Sequence, residues 1–107
     1  MNRTSQKRAL ILLLTLTLLL ALASCAAKSP LVGVWQEVDI DNIYTFNANG
    51  TGEEYYDGST WALTWTLNGG TLTMDFGTAG VEAYKIEIKG NTLIVHGDEV
   101  DFEYKRK

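Results

Sequence analysis

The 107-residue sequence predicts an all-β protein, a small eight-stranded antiparallel meander barrel preceded by an N-terminal signal-peptide helix. Two observations predict the barrel. Apolar and polar residues alternate over most of residues 31–107, and turn-forming residues interrupt this alternation about every ten residues. A third observation separates the leader, because residues 1–24 hold nine of the fourteen leucines and none of the thirteen acidic residues. We therefore expect one small exported domain.

Residues 1–24 have the organisation of a secretory signal peptide. Three basic residues lie within the first eight positions, and the run 9–23 is apolar and uncharged. This run is shorter than the roughly 20 residues that a membrane-spanning helix needs, and it suits a cleaved signal. The run leads into Leu22-Ala23-Ser24-Cys25, a string that resembles a bacterial lipobox.

The resemblance to a lipobox implies cleavage between Ser24 and Cys25 and lipidation of Cys25. The lipid would anchor the exported protein to the bacterial cell membrane or outer membrane, and more than one acyl chain anchors a protein stably. An uncut signal anchor with a free Cys25 thiol is the alternative. Because the sequence contains a single cysteine, the domain is expected to fold without a disulfide.

The mature chain is expected to begin with a short tether and to be acidic. Residues 25–30 comprise the lipidated Cys25 and the linker, which spans about 20 Å when fully extended, and residues 31–107 form the barrel domain. Removal of residues 1–24 leaves six basic and thirteen acidic residues and changes the net charge from −4 to −7. This charge argues against nucleic acid as a partner. The basic end 105–107 is expected to be solvated.

The strands follow from the alternation and from the turns between them. In residues 60–67 the odd positions hold Trp61, Leu63, Trp65 and Leu67, whereas Thr and Ala occupy the even positions, so one face is predicted to be buried. Asn, Asp and Gly in the intervening segments tolerate the positive φ of tight hairpins. The predicted strands cover residues 32–39, 42–47, 51–56, 60–67, 71–76, 81–88, 92–96 and 99–105.

Several segments together resemble the small lipocalin-like domains of uncharacterised bacterial lipoproteins. They are the Gly-x-Trp segment 31–35, the hairpin 44–52 with its Phe-x-x-x-Gly-Thr-Gly string, residues 65–67 with 70–73, and the closing segment 102–106. The resemblance implies a lipocalin-like meander barrel for nearly all of residues 31–106. It transfers no catalytic or binding residue to this chain.

The interior of such a barrel is expected to be filled by aromatic side chains. Strands of about six residues are roughly 20 Å long, and an eight-stranded barrel is only just wide enough for its own side chains. An internal ligand cavity is therefore disfavoured, and ligands are expected at the outer surface or the barrel ends. The predicted core aromatics are Trp35, Tyr44, Phe46, Trp61, Trp65, Phe76, Tyr84, Phe102 and Tyr104.

The residue types needed for catalysis are few, so no enzyme, cofactor or metal site is predicted. His96 is the only histidine, and only Ser59 could join it in a nucleophilic triad. His96 is better explained as an exposed residue beside a turn. A zinc site needs three or four nitrogen or sulfur ligands, of which the sequence offers one. The acidic segment 39–42 lacks the twelve-residue loop of a calcium-binding EF-hand.

Two functions remain as expectations. The first is a lipid-anchored binding or interaction module whose partner is an envelope protein or a small apolar molecule held at an open barrel end. The second is a small acidic inhibitor of a foreign hydrolase, such as a lysozyme or a protease, at the envelope. The candidate binding residues are Glu53, Glu54, Tyr55, Tyr56, Asp57 and Trp61.

Overall fold

A computed structural model describes residues 29–107 of the chain. The predicted signal peptide and its helix, the cleavage site at Ser24 and Cys25, and the lipidation of Cys25 lie outside the described residues. The described part forms a single closed antiparallel sheet in which consecutive strands are neighbours and the last strand pairs with the first. Each strand thus has two neighbours within residues 29–107, which makes this segment a complete folding unit.

Eight strands and one short 3-10 helix make up the fold. The predicted all-β meander barrel is confirmed, and most predicted bounds agree with the structure to within two residues. The strands are β1 (Gly33–Glu37), β2 (Asn42–Phe46), β3 (Thr51–Tyr56), β4 (Ser59–Asn68), β5 (Thr71–Asp75), β6 (Val81–Lys89), β7 (Thr92–His96) and β8 (Asp101–Arg106), and the 3-10 turn Gly77–Ala79 lies between β5 and β6.

The hairpin turns fix the register of the sheet. In the β4–β5 hairpin Asn68 is paired with Thr71, and in the β6–β7 hairpin Lys89 is paired with Thr92, so each turn has two residues. The glycines that the sequence analysis assigned to turns supply the positive φ that such short connections need. The closure is equally regular, with Gln36 of β1 opposite Lys105 of β8.

The barrel has two different ends. The closed end carries residues 29–32, the three turns after β2, β4 and β6, and the C-terminus. The open end carries the four longer or more exposed connections, which are residues 38–41, 57–58, 76–80 and 97–100. Because the strands alternate in direction, residues that begin one strand lie beside residues that end the next.

The hydrophobic core occupies the closed half and the middle of the barrel. Successive residues of a strand point to opposite faces, and every second residue is buried along β2, β5 and β7. The largest side chains that are fully buried in this core are Leu31, Trp35, Phe46, Leu72, Met74 and Leu93.

Candidate functional site

The closed end is sealed by a turn of residues 29–32 that packs on a tryptophan. Leu31 is completely buried, and the indole Nε1 of Trp35 donates a hydrogen bond of 2.8 Å to its carbonyl oxygen. The guanidinium of Arg106 lies 4.2 Å from the centroid of the Trp35 ring. Its Nη1 and Nη2 donate to the carbonyl oxygens of Val32 and Pro30, both at 2.9 Å.

This arrangement corrects one expectation from the sequence. Arg106 was predicted to belong to a solvated basic end, but its position on β8 turns its side chain toward the barrel axis, and it fastens the N-terminal turn. The neighbouring Lys105 points outward, where it donates to Thr92 and lies 3.5 Å from Glu103. Lys105 and Lys107 are exposed, as the sequence suggested, and Arg106 is not.

A cavity opens at the opposite end of the barrel. Its volume is about 220 Å³, and residues from seven of the eight strands line it. The floor is apolar and consists of Phe46, Leu72, Met74, Leu93 and Val95. The wall nearer the mouth is formed by tyrosines and acidic residues, so the cavity is apolar at depth and polar at its opening.

The cavity is larger than the sequence indicated, because the aromatic side chains do not all fill the interior. Trp35, Tyr44, Phe46 and Tyr104 are buried as predicted, and Trp65, Phe76 and Tyr84 pack against the core. Trp61 and Phe102 are instead exposed at the open end, by 41% and 37%. The expectation that aromatics leave no internal space is therefore wrong for the open half of the barrel.

Three carboxylates occupy inward-facing positions at the mouth of the cavity. Glu37 ends β1, Glu54 lies near the end of β3 and Glu82 near the start of β6, and all three line the cavity. Each lies two residues from another inward-facing position on its own strand, occupied by Trp35, Gly52 and Tyr84 respectively. Acidic residues on the inner face of a small barrel are unusual, because burial of a carboxylate is costly unless it is compensated.

None of these three carboxylates forms an ion pair within the described chain. The four ion pairs of residues 29–107 involve Glu87, Asp101 and Glu103 on the outer face with Lys89, His96 or Lys105. Arg106 is the one basic residue at an inward-facing strand position in this part of the chain, and it lies at the closed end. The mouth therefore carries acidic charge without a protein cation.

A hydrogen-bond network holds part of this acidic mouth in place. Asn42 is almost completely buried, and its Nδ2 donates to Oε2 of Glu54 at 2.8 Å and to the carbonyl oxygen of Tyr55 at 3.1 Å. The Tyr104 hydroxyl donates to Oδ1 of Asn42 at 2.7 Å. On the other side, the Tyr84 hydroxyl donates to Oε2 of Glu82 at 3.2 Å.

Burial changes the acid–base behaviour of the phenols that line the cavity. Desolvation raises the pKa of Tyr44 and of Tyr104 far above the ordinary value. Tyr104 and Glu54 add to the rise at Tyr44. Glu37 and Glu54 add to the rise at Tyr104. Desolvation and the adjacent Glu82 raise the pKa of Tyr84 in the same direction. The three phenols are therefore neutral at physiological pH and keep their hydroxyl protons for donation.

The carboxyl group of Glu37 responds to the same environment. Burial raises its pKa above the ordinary value of 4.5, the Tyr104 hydroxyl opposes part of this rise, and the negative charge of Glu54 adds to it. Compared with a solvated glutamate, Glu37 favours its protonated form more strongly. Its negative charge at the mouth therefore costs free energy.

Tyr44 is a largely buried phenol among the residues that line the cavity. Its side chain is only 8% exposed and lies against Phe46 and Tyr104, with ring centroids 5.6 and 5.5 Å away. The Tyr44 hydroxyl interacts with the carboxylate of Glu54, which contributes to its raised pKa. No buried polar side-chain atom of residues 29–107 lacks a hydrogen-bond partner.

A ring of exposed apolar side chains surrounds the mouth. The large apolar residues that the described segment exposes all lie in the connections or strand termini of the open end. Clustered exposure of this kind marks interaction sites more often than single exposed residues do. The ring consists of Val38, Ile40, Tyr56, Trp61, Val81, Val100 and Phe102.

The structure divides the candidate binding residues of the sequence between two faces. Glu54 and Tyr56 are on the inner face and line the cavity, whereas Glu53 and Tyr55 point outward on the same strand. Asp57 is an exposed turn residue with a positive φ of 46°. Trp61 lies opposite Glu54 in the β3–β4 ladder and belongs to the apolar ring.

Sequence reasoning missed the other acidic and polar members of the mouth, which are Glu37, Asn42 and Glu82. The signal was present, since Glu37 follows Trp35 by two positions and Glu82 precedes Tyr84 by two positions within predicted strands. The two-residue period places Glu37 and Glu82 on the inner face, but neither was among the predicted site residues. The pairing of Asn42 with Glu54 depends on register and has no sequence signal.

His96 lies on the outer wall and contributes nothing to the cavity. Its Nδ1 is 2.9 Å from Oδ1 of Asp101, and its Nε2 is 3.8 Å from a carboxylate oxygen of Glu87. Within residues 29–107, no three His, Cys, Asp or Glu side chains come together closely enough to hold a metal ion. The same part of the chain contains no helix with the length and apolar character to span a membrane.

The fold and the site define a small closed up-and-down β-barrel with a cavity that is apolar inside and acidic at its mouth. The model of a family of unknown function, DUF5640, matches residues 29–107, and the chain belongs to this family. Comparisons with curated proteins and with solved structures give no match.

Proposed function

We propose that this chain is a lipid-anchored binding protein of the bacterial cell envelope whose barrel takes up a small, partly apolar molecule through its open end. The observation that carries the proposal is the cavity of about 220 Å³ with its apolar floor. A dry engineered cavity of about 150 Å³ binds benzene. The cavity of this barrel therefore suits an aromatic ring with a short side chain.

The division of the barrel into two ends supports the same proposal. Tight packing of Leu31, Trp35 and Arg106 stabilises the closed end, so the open end can remain unfilled without loss of the fold. Binding sites in small barrels commonly lie at such a mouth.

The anchor proposal rests on the lipobox-like string before Cys25 and on the geometry of the closed end. Residues 29–32 lie at the closed end, so a lipid on Cys25 would attach the barrel there. The linker of about 20 Å would hold the closed end near the membrane. The mouth would then face away from the lipid surface, where a dissolved ligand can enter it.

Binding of two small aromatic probes to the segment 26–107 tests the proposal. We expect 2-phenylethanol or 2-phenylethylamine to bind, as measured by calorimetry and by saturation-transfer NMR. Val95 lies on the cavity floor, so Val95→Phe fills part of the space and should weaken binding at least about tenfold. The adjacent Ile94 points outward, which makes Ile94→Phe the matched control. Failure of both probes to bind the folded segment would contradict the proposal.

A further inference from the structure

The acidic mouth specifies the chemical class of the ligand. We infer that the cavity binds a small organic ammonium compound, with its apolar or aromatic body on the cavity floor and its charged nitrogen among Glu37, Glu54 and Glu82. This inference rests on the proposed function, because it assigns the charge of the molecule that the cavity takes up.

The first argument is the missing counter-charge. The three carboxylates line one cavity, where Glu37 and Glu54 are half-buried and Glu82 is exposed, and the described chain supplies no ion pair to any of them. Like charges in a partly desolvated cavity repel each other more strongly than they do in water. The negative charge of Glu54 contributes to the raised pKa of Glu37, as expected for two half-buried carboxylates that line the same cavity. A cationic ligand would remove the repulsion and gain charge-assisted hydrogen bonds.

The second argument is the phenol beside one of the carboxylates. Tyr44 is largely buried, lines the cavity and interacts with Glu54 through a hydroxyl that is neutral at physiological pH. A hydroxyl oxygen can accept a hydrogen bond from an ammonium N–H while its proton is donated toward Glu54. Tyr44 and Glu54 together therefore offer an ammonium group two acceptors.

The third argument is the aromatic lining. The rings of Tyr44, Tyr84, Phe102 and Tyr104 all border the cavity. Their faces carry partial negative charge and attract cations within about 6 Å, most strongly where water is excluded. Aromatic faces combined with carboxylates recognise ammonium groups, whereas the same lining would repel an anionic ligand such as a fatty acid.

The arrangement favours an organic cation over a metal ion. The three carboxylates come from β1, β3 and β6, and no group of three acidic, histidine or cysteine side chains in residues 29–107 converges on one point. A metal ion needs its ligands at about 2 to 2.6 Å from a single centre. An ammonium group can form hydrogen bonds with one of these carboxylates and be attracted by the charge of the others at longer range, and its apolar body also covers the cavity floor.

Three probes of similar shape and different charge test the inference on the segment 26–107. They are 2-phenylethylamine, which is cationic at neutral pH, the neutral 2-phenylethanol and the anionic 3-phenylpropionate. We expect the amine to bind at least about tenfold more tightly than the alcohol, and the anion to bind more weakly than both. Added salt should weaken binding of the amine and not of the alcohol.

Neutral replacements of the mouth carboxylates supply the second part of the test. Glu54→Gln and Glu82→Gln keep an oxygen that can accept the hydrogen bonds from Asn42 and Tyr84. Each should weaken binding of the amine about tenfold and weaken binding of the neutral alcohol much less. Glu53→Gln removes the same charge from the outer face of the same strand and is the matched control, for which we expect less than a twofold change.

The outcomes separate this inference from the proposed function. If the alcohol binds as tightly as the amine, or if Glu53→Gln has the effect of Glu54→Gln, the charge assignment is overturned while the binding function stands. If all three probes fail to bind the folded segment, the proposed function and the inference are both overturned. Preferential binding of the amine that depends on Glu54 and Glu82 supports both.

Discussion

Arg106 shows how one side chain can hold an end of the barrel. It donates two hydrogen bonds to the backbone of the N-terminal turn and covers the face of Trp35. Hydrogen bonds from a charged donor and a cation–π contact are each stronger in a partly enclosed site than on an open surface. The last strand and the first turn are therefore linked by a residue that the sequence presents as part of a charged tail.

Replacement of Arg106 is expected to destabilise the protein strongly. Arg106→Met keeps much of the side-chain length but removes both hydrogen bonds and the charge, and should lower the free energy of unfolding by about 2–4 kcal/mol. Urea denaturation followed by tryptophan fluorescence measures this loss.

The control for Arg106 is its neighbour. Lys105→Met removes the same charge from an exposed position with one hydrogen bond and one weak ion pair, so we expect a change within about 1 kcal/mol. An equal loss of stability in the two variants would contradict the role assigned to Arg106.

Within the strands and turns, two glycines are needed for different physical reasons. Gly52 lies within β3 on the inner face, and a Cβ atom there would collide with the backbone carbonyl oxygen of Thr45 on β2. Gly58 lies in the β3–β4 turn with a φ of 87°, and a Cβ atom there would meet nothing within 4 Å. Position 52 therefore requires glycine because a side chain would collide with β2, whereas position 58 favours glycine because of its positive φ.

The two glycines are expected to respond differently to substitution. Gly52→Ala should lower the free energy of unfolding by about 2–3 kcal/mol, because the β2–β3 ladder must shift. Gly58→Ala should cost about 1 kcal/mol through the left-handed conformation alone. Urea midpoints of the two variants measure both costs.

A further substitution at the turn separates strain from contact. Gly58→Asn should be tolerated better than Gly58→Ala, because asparagine adopts positive φ more readily. If Asn and Ala had equal effects at position 58, backbone strain would not be the cause. No such difference is expected at Gly52, where any Cβ atom meets Thr45.

The strands themselves could be predicted because their signals are local. Alternation and turn residues lie within a few positions of one another, and they defined β3 and β7 with the bounds that the structure has. Val100 was assigned to the last strand because it continues the apolar alternation with Phe102, but it is exposed in the preceding connection. Near the mouth, few side chains fill the barrel interior. Apolar residues continue to alternate with polar ones along the sequence there, but they are not buried.

The cavity could not be predicted because it depends on the whole molecule. Its acidic wall combines residues from β1, β3 and β6, and its volume is the space that the side chains of seven strands leave unfilled. Composition gives the total aromatic content but not how it divides between the core and the rim. Trp61 and Phe102 fit the inner face by alternation, yet both lie at the exposed end of the barrel.

The proposed anchor gives a prediction about the orientation of the whole molecule. Cys25→Ser should abolish incorporation of a palmitate analogue, as measured by metabolic labelling of producing cells. In the lipidated protein on vesicles, a fluorophore on Asn91→Cys at the closed end should be quenched by lipid-bound nitroxide more than one on Asp57→Cys at the open end. Equal quenching at the two positions would contradict this orientation.

The pairing of β8 with β1 has a consequence for how copies of this protein behave when they are crowded. An open sheet exposes unpaired backbone groups along its outer strands, and these can recruit another chain and begin aggregation. Within residues 29–107 the closure leaves no strand edge free, because β8 pairs with β1 and Gln36 lies opposite Lys105. Many copies held side by side on one surface can therefore meet without merging their sheets.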